Sequence, residues 1–169
     1  MVFRLLDTVI RGENKNMKTG FIASAFYIMH IGYTLMLKEC KDNCNYLIAA
    51  LHDDPKWERQ DKNSPIMSLH ERFLVLKSIR YIDEIALYEK ENELKNLLKF
   101  YNPDVRFLGS DYKEISPLKI TGYALCRNIH YIDRFHDYSS SDLRKRIYKA
   151  ERYKEDVENF KQNEGRFYE

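Results

Sequence analysis

The stretch HIGY, residues 30–33, places an imidazole and a phenol three residues apart astride a glycine. On a helix that spacing is about one turn, so His30 and Tyr33 rise from the same side of the helix start. Gly32 has no side chain and lets a ligand approach the backbone. Free amides and the positive end of the helix dipole favour an anion there. An imidazole in such a place can donate to a phosphate oxygen and steady charge as it builds. It can equally be a helix-capping histidine with no ligand.

A second such place is RFHDYSSSDLRKR, residues 134–146. Ser139, Ser140 and Ser141 stand where a helix should start, so one of them should cap it. The others, with the exposed amides, make a phosphate cradle, and Arg134 can clamp an oxygen in a forked contact. Alone, a serine run before a helix reads as a cap. Two helix starts with imidazole or cationic partners, facing one rim, point to a polyphosphate.

Three further groups complete the set. Asp53 and Asp54 follow a strand end, where carboxylates help to hold a divalent cation or simply face solvent. Lys62 lies on a polar arm that can swing over bound phosphates, and Arg72 sits on the next helix, suited to pairing with a carboxylate or a ligand. In FLGSDY, Gly109 permits close backbone approach and Asp111 offers an acceptor for a base or sugar.

The elements that must position these residues follow from hydrophobic spacing. TGFIASAF and YLIAAL are short apolar runs suited to buried strands, and EIALY, DVRFLG and NIHYI are further strand candidates. Between them, HIGYTLMLKECKDN predicts a helix with Ile31, Leu35 and Met36 on one apolar face. SLHERFLVLKSIRYI predicts another, with Leu69, Phe73, Leu76 and Ile79 inward, and ENELKNLLKFY a third. HDDPKWERQDKNSP and SDYKEISPLKITG read as polar loops, and SSSDLRKRIYKAERYKEDVENF as the last helix. Strands alternating with helices imply an α/β fold: a parallel sheet with right-handed crossovers and helices on both faces. In such folds ligands sit beyond the carboxyl ends of the strands. Four polar stretches that follow strands are therefore expected at one rim: His30, residues 52–65, Gly109–Asp111 and Arg134–Ser141.

Composition narrows the class. With 169 residues, 44% apolar and 32% charged, the chain suits one globular domain. A net charge of +2 argues against a general nucleic-acid binder. No run approaches the ~20 apolar residues of a membrane span, and no signal peptide is visible, so a cytoplasmic protein is expected. Cys40, Cys44 and Cys126 read as reduced thiols. The expected division is an extension of unknown role at 1–16, a domain at 17–147 and a charged helical tail at 148–169.

With these segments in place the chain resembles the cytidylyltransferase-like nucleotidyltransferases, in particular the glycerol-3-phosphate cytidylyltransferase branch and its phage-encoded relatives. The family pattern G-x-F-D-x-x-H-x-G-H lines up with SAFYIMHIGY, and the closing R-x-x-x-x-S-[ST]-[ST] with RFHDYSSS. The resemblance implies a Rossmann-like fold, commonly dimeric, that binds CTP at the sheet rim. It implies attack of a small phosphorylated alcohol on the α-phosphorus, release of pyrophosphate, and help from Mg²⁺. It puts His30, Lys62 and Arg134 in catalytic places. Ala25, Phe26, Tyr33, Arg72, Gly109, Asp111 and Ser139–Ser141 fall at the nucleotide. The lysine place just before Pro65 holds Ser64, which leaves the role of Lys62 open.

Three motif positions depart from the pattern: Ser24 for glycine, Tyr27 for aspartate and Tyr33 for the second histidine. A phenol with an ordinary pKa near 10 stays neutral and supplies no positive charge. Loss of one preorganised donor to a transition state typically costs ~10²–10³ in rate. Two readings therefore stay open: a working nucleotidyltransferase, transferring CMP or another nucleotide, and a nucleotide-binding or assembly protein that has lost turnover.

Overall fold

Residues 46–51 are apolar without interruption because their strand is covered on both sides. Leu47, Ala49 and Leu51 enter one core cluster, and Ile48 and Ala50 enter the other. That double burial marks the interior of a parallel sheet. The computed structural model describes residues 17–165, with side chains up to residue 160; the expected extension at 1–16 lies outside the described residues. Strands β1 (Thr19–Ser24), β2 (Tyr46–His52), β3 (Glu84–Tyr88), β4 (Val105–Gly109) and β5 (Ile129–Ile132) form one sheet. All its pairings are parallel, in the order β3-β2-β1-β4-β5.

The helices α1 (Ile31–Asp42), α2 (Leu69–Lys77) and α3 (Glu91–Tyr101) are the crossovers, and α4 (Ser140–Gly165) follows β5. The chain walks β1-β2-β3 toward one edge, then returns past β1 to β4. Right-handed crossovers therefore put α1 and α2 on one face and α3 on the other. The clusters agree: Leu37, Cys40 and Leu76 pack with Ile22 and Phe107, while Leu94 and Leu98 pack with Phe21 and Ala86. The expected Rossmann-like α/β fold is the fold found.

One helical face differs from expectation. In α1 the buried side chains are Leu37 and Cys40, with Tyr33, Met36 and Cys44 packed beside them, whereas Ile31 is 48% exposed and Leu35 42%. At 100° per residue, Ile31 and Leu35 fall roughly opposite the Tyr33–Leu37–Cys40 stripe. Of the three expected residues only Met36, about 100° round the helix from Leu35, packs against the core. In α2 the expected residues do turn inward: Leu76 is buried, and Leu69, Phe73 and Ile79 pack against the same core. Helix α4 runs unbroken through positions 147 and 148, and from Lys145 to Asp156 every residue is exposed.

Candidate functional site

The sheet reverses its winding between β1 and β4. At such a switch point the loops leaving adjacent strands part and open a crevice beyond the carboxyl ends. A cavity of about 1030 Å³ occupies this edge. Its wall takes in residues from all four polar stretches singled out by sequence: His30, Lys62, Gly109 and Asp111, Arg134, and Ser139–Ser141. Ala25 and Tyr33 also line it.

His30 is the N-cap of α1, with extended backbone, and its Nδ1 accepts the Gly32 amide at 3.1 Å. The ring is therefore neutral with its proton on Nε2, a donor that the capping does not use. Capping and ligand contact, the two alternatives for this residue, do not exclude each other. Burial, then the charges of His136 and Arg134, lower the His30 pKa from 6.5. Tyr33 lies against this ring at 4.6 Å between centroids and against Phe26 at 5.1 Å.

At the second helix start Ser139 does the capping: its Oγ accepts the Asp142 amide at 3.1 Å, and its carbonyl accepts that of Leu143. Ser140 and Ser141 begin α4, where first-turn amides lack intrahelical acceptors. Ser140, Ser141, Arg134 and Arg144 share the cavity wall. Across it, Asp111 folds back over Gly109: a Cβ at 109 would stand 2.3 Å from Asp111 Oδ1. Only glycine leaves that carboxylate its place.

Some expected residues are placed differently. Arg72 is 2% exposed and does not line the cavity. Its Nε donates to Met67 O, Nη1 to Ala25 O and His52 O, and Nη2 to Asp53 O. The guanidinium ties the ends of β1 and β2 together, so its donors are spent on carbonyls. Phe26 is also buried, its φ of +45° turning the chain after β1 so that the ring enters the core. Asp53 lies 3.8 Å from Arg72, and Asp54 caps a short 3-10 turn through the Lys56 amide. Neither carboxylate lines the cavity.

Other wall residues were not foreseen. His52 and Tyr88, at the carboxyl ends of β2 and β3, stack at 4.4 Å, and His52 Nε2 meets Glu89 O at 2.9 Å. Arg106, inside β4, is 4% exposed with its Nη1 on Thr121 O and its Nε without a partner among the described residues. A charged residue within an apolar strand is the signal that was available for Arg106. His136 shares the wall too, at a position the closing pattern leaves unspecified.

The donor set does not form a metal site of its own. Among the described residues no group of three or more His, Cys, Asp or Glu stands ready to hold an ion. Tyr27 lines the cavity where the resemblance expects aspartate, and burial first of all raises its phenol pKa, keeping it neutral.

Fold and cavity define the class: a Rossmann-like α/β domain with two helix starts, imidazoles and guanidinium groups around a hollow at the switch point. The family model described as cytidylyltransferase-like matches residues 22–146. An ethanolamine-phosphate cytidylyltransferase from Dictyostelium discoideum is 32% identical over 108 residues, covering 63% of this chain and 30% of that protein. The bifunctional protein HldE of Helicobacter hepaticus is 30% identical over 130 residues, 76% of this chain and 26% of that protein. The chain thus spans less than a third of either relative. A lipopolysaccharide core biosynthesis protein from Thermoplasma volcanium shares the fold, with a TM-score of 0.59 and 22% identity over 72% of this chain and all of that one. The chain belongs to the cytidylyltransferase-like family. Among the described residues no helix is long and apolar enough to cross a membrane.

Proposed function

We propose that the protein is a nucleotidyltransferase that moves CMP from CTP to a small alcohol phosphate of the glycerol 3-phosphate kind and releases pyrophosphate. The observation that carries this reading is one cavity wall shared by His30, Arg134 and the start of α4. In-line displacement at phosphorus needs positioning and charge stabilisation more than a protein nucleophile. A phosphate oxygen of the acceptor attacks the α-phosphorus as the bond to the bridging oxygen of pyrophosphate breaks, and the leaving group departs with that electron pair. The His30 Nε2–H, Arg134 and the amides of Ser140 and Ser141 are positioned to meet charge on the phosphate oxygens. Lys62, exposed beside the cavity, closes over the chain of phosphates, and Gly109 with Asp111 takes the base or ribose. The divalent cation, Mg²⁺, enters with the nucleotide as part of the substrate, held mainly by phosphate oxygens. We place the protein in the cytoplasm as a homodimer.

Tyr27 and Tyr33 favour a second reading, a nucleotide-binding or assembly protein without turnover. Pyrophosphate release separates the two. The protein is incubated with Mg²⁺, each nucleoside triphosphate in turn, and glycerol 3-phosphate or ethanolamine phosphate as acceptor. Release with CTP that falls at least a hundredfold in His30→Ala supports the transferase. Tight CTP binding without release supports the second reading, and absence of both overturns the two together.

A further inference from the structure

Resting on the nucleotide reading above, we propose that His136 contacts the nucleotide's phosphate chain beside His30, supplying from the segment before α4 a second imidazole that position 33 lacks. Two rings converge on the space over Gly32. A Cβ there would lie 2.8 Å from His136 Cε1 and 2.9 Å from His30 Cε1 and Nδ1. The imidazoles thus flank one gap in the backbone, at the start of α1, and both belong to the cavity wall.

His136 is not explained by the fold alone. Its Nδ1 is closed off from solvent and has no hydrogen-bond partner among the described residues, a condition that buried polar atoms seldom tolerate unless a ligand, ion or water completes them. Its ring neighbours Tyr138 at 5.2 Å, and that contact gives no acceptor to Nδ1. His136 and Arg134 both weigh against a proton on His30. Three groups able to carry positive charge are therefore gathered within reach of one another, and no described carboxylate forms an ion pair with any of them. A bound triphosphate supplies the negative charge that such a set of donors attracts. Tyr33 cannot replace an imidazole here, because its ring packs between His30 and Phe26 and carries no positive charge. During transfer both imidazoles keep their protons; they hold the charge that moves onto the phosphate oxygens as the bond to pyrophosphate opens.

The test is calorimetric titration of the full chain with Mg²⁺–CTP and, separately, with inorganic tripolyphosphate. It compares wild type, His136→Ala and His136→Gln, each first shown to be folded by circular dichroism. Expected is at least tenfold weaker binding of both ligands in His136→Ala and, in a pyrophosphate-release assay of the same variants, a larger fall in kcat than rise in KM. Ala and Gln variants that bind tripolyphosphate as wild type does overturn the proposal, and so does a loss traced only to unfolding. Wild type that binds CTP and tripolyphosphate while His136→Ala matches it sinks this inference alone. Wild type that binds neither sinks the nucleotide reading and the inference with it.

Discussion

His30 Nδ1 accepts the Gly32 amide at 3.1 Å, so one residue both caps a helix and lines the cavity. The two tasks separate by substitution. His30→Ala removes both, with an expected loss of ~1 kcal/mol of stability from the cap and ~10²–10³ in transfer rate. His30→Asn keeps a capping oxygen but loses the donor. Urea unfolding should place Asn near wild type in stability, while pyrophosphate release should place it with Ala.

Arg72 braces the strand ends. Its hydrogen bonds go to the carbonyls of Met67, Ala25, His52 and Asp53, at the ends of the strands that frame the cavity. Removing it strands those carbonyls in a buried place, and each charge-assisted bond is worth ~1.5–3 kcal/mol. Arg72→Met should lower unfolding free energy by at least ~3 kcal/mol. Arg72→Lys should recover only part, since lysine lacks the planar fork. Denaturant midpoints at constant slope check both.

The fold and the fine detail of the site were unequally legible in the sequence. Uninterrupted apolar runs such as YLIAAL, 46–51, announce a sheet buried on both faces, and their alternation with helical spacing gives the crossovers. The polar stretches after the strands announce the rim for the same reason. Long-range pairing leaves no such local mark. The sequence leaves Arg72 open between a carboxylate and a ligand, whereas its donors reach carbonyls at positions 25 and 53, which only the folded chain brings close. His136 sits in a motif position that accepts many residues, and its place over Gly32 depends on how the segment after β5 crosses the start of α1.

Acid should destabilise the protein below neutrality. Burial, as the leading cause, lowers the pKa of both His30 and His52 from 6.5. In the unfolded chain both rings take up protons near the ordinary value, so below it the unfolded state binds more protons than the folded one. Stability is therefore full above about pH 6.5 and is lost as the pH falls through the lowered folded-state values. Melting temperatures from pH 8 down to pH 5 should drop most steeply below 6.5, and less steeply in His52→Gln.

Gly109 has its own test. A methyl group at 109 would displace the Asp111 carboxylate, the mobile end of a side chain, and leave the backbone alone. Gly109→Ala should fold with a melting temperature within a few degrees of wild type. Its CTP affinity should fall about tenfold, equivalent to ~1.4 kcal/mol, with tripolyphosphate affinity unchanged. Calorimetry with the two ligands reads the difference.

The grip on a phosphate chain is tested most directly by comparing CTP with cytidine on wild type and on Arg134→Ala, by calorimetric titration in Mg²⁺. The expected result is CTP bound at one site at least ~100-fold tighter than cytidine, a difference of ~2.7 kcal/mol, most of which disappears in the variant. Equal affinities for the two ligands, or a CTP affinity indifferent to Arg134, would contradict it.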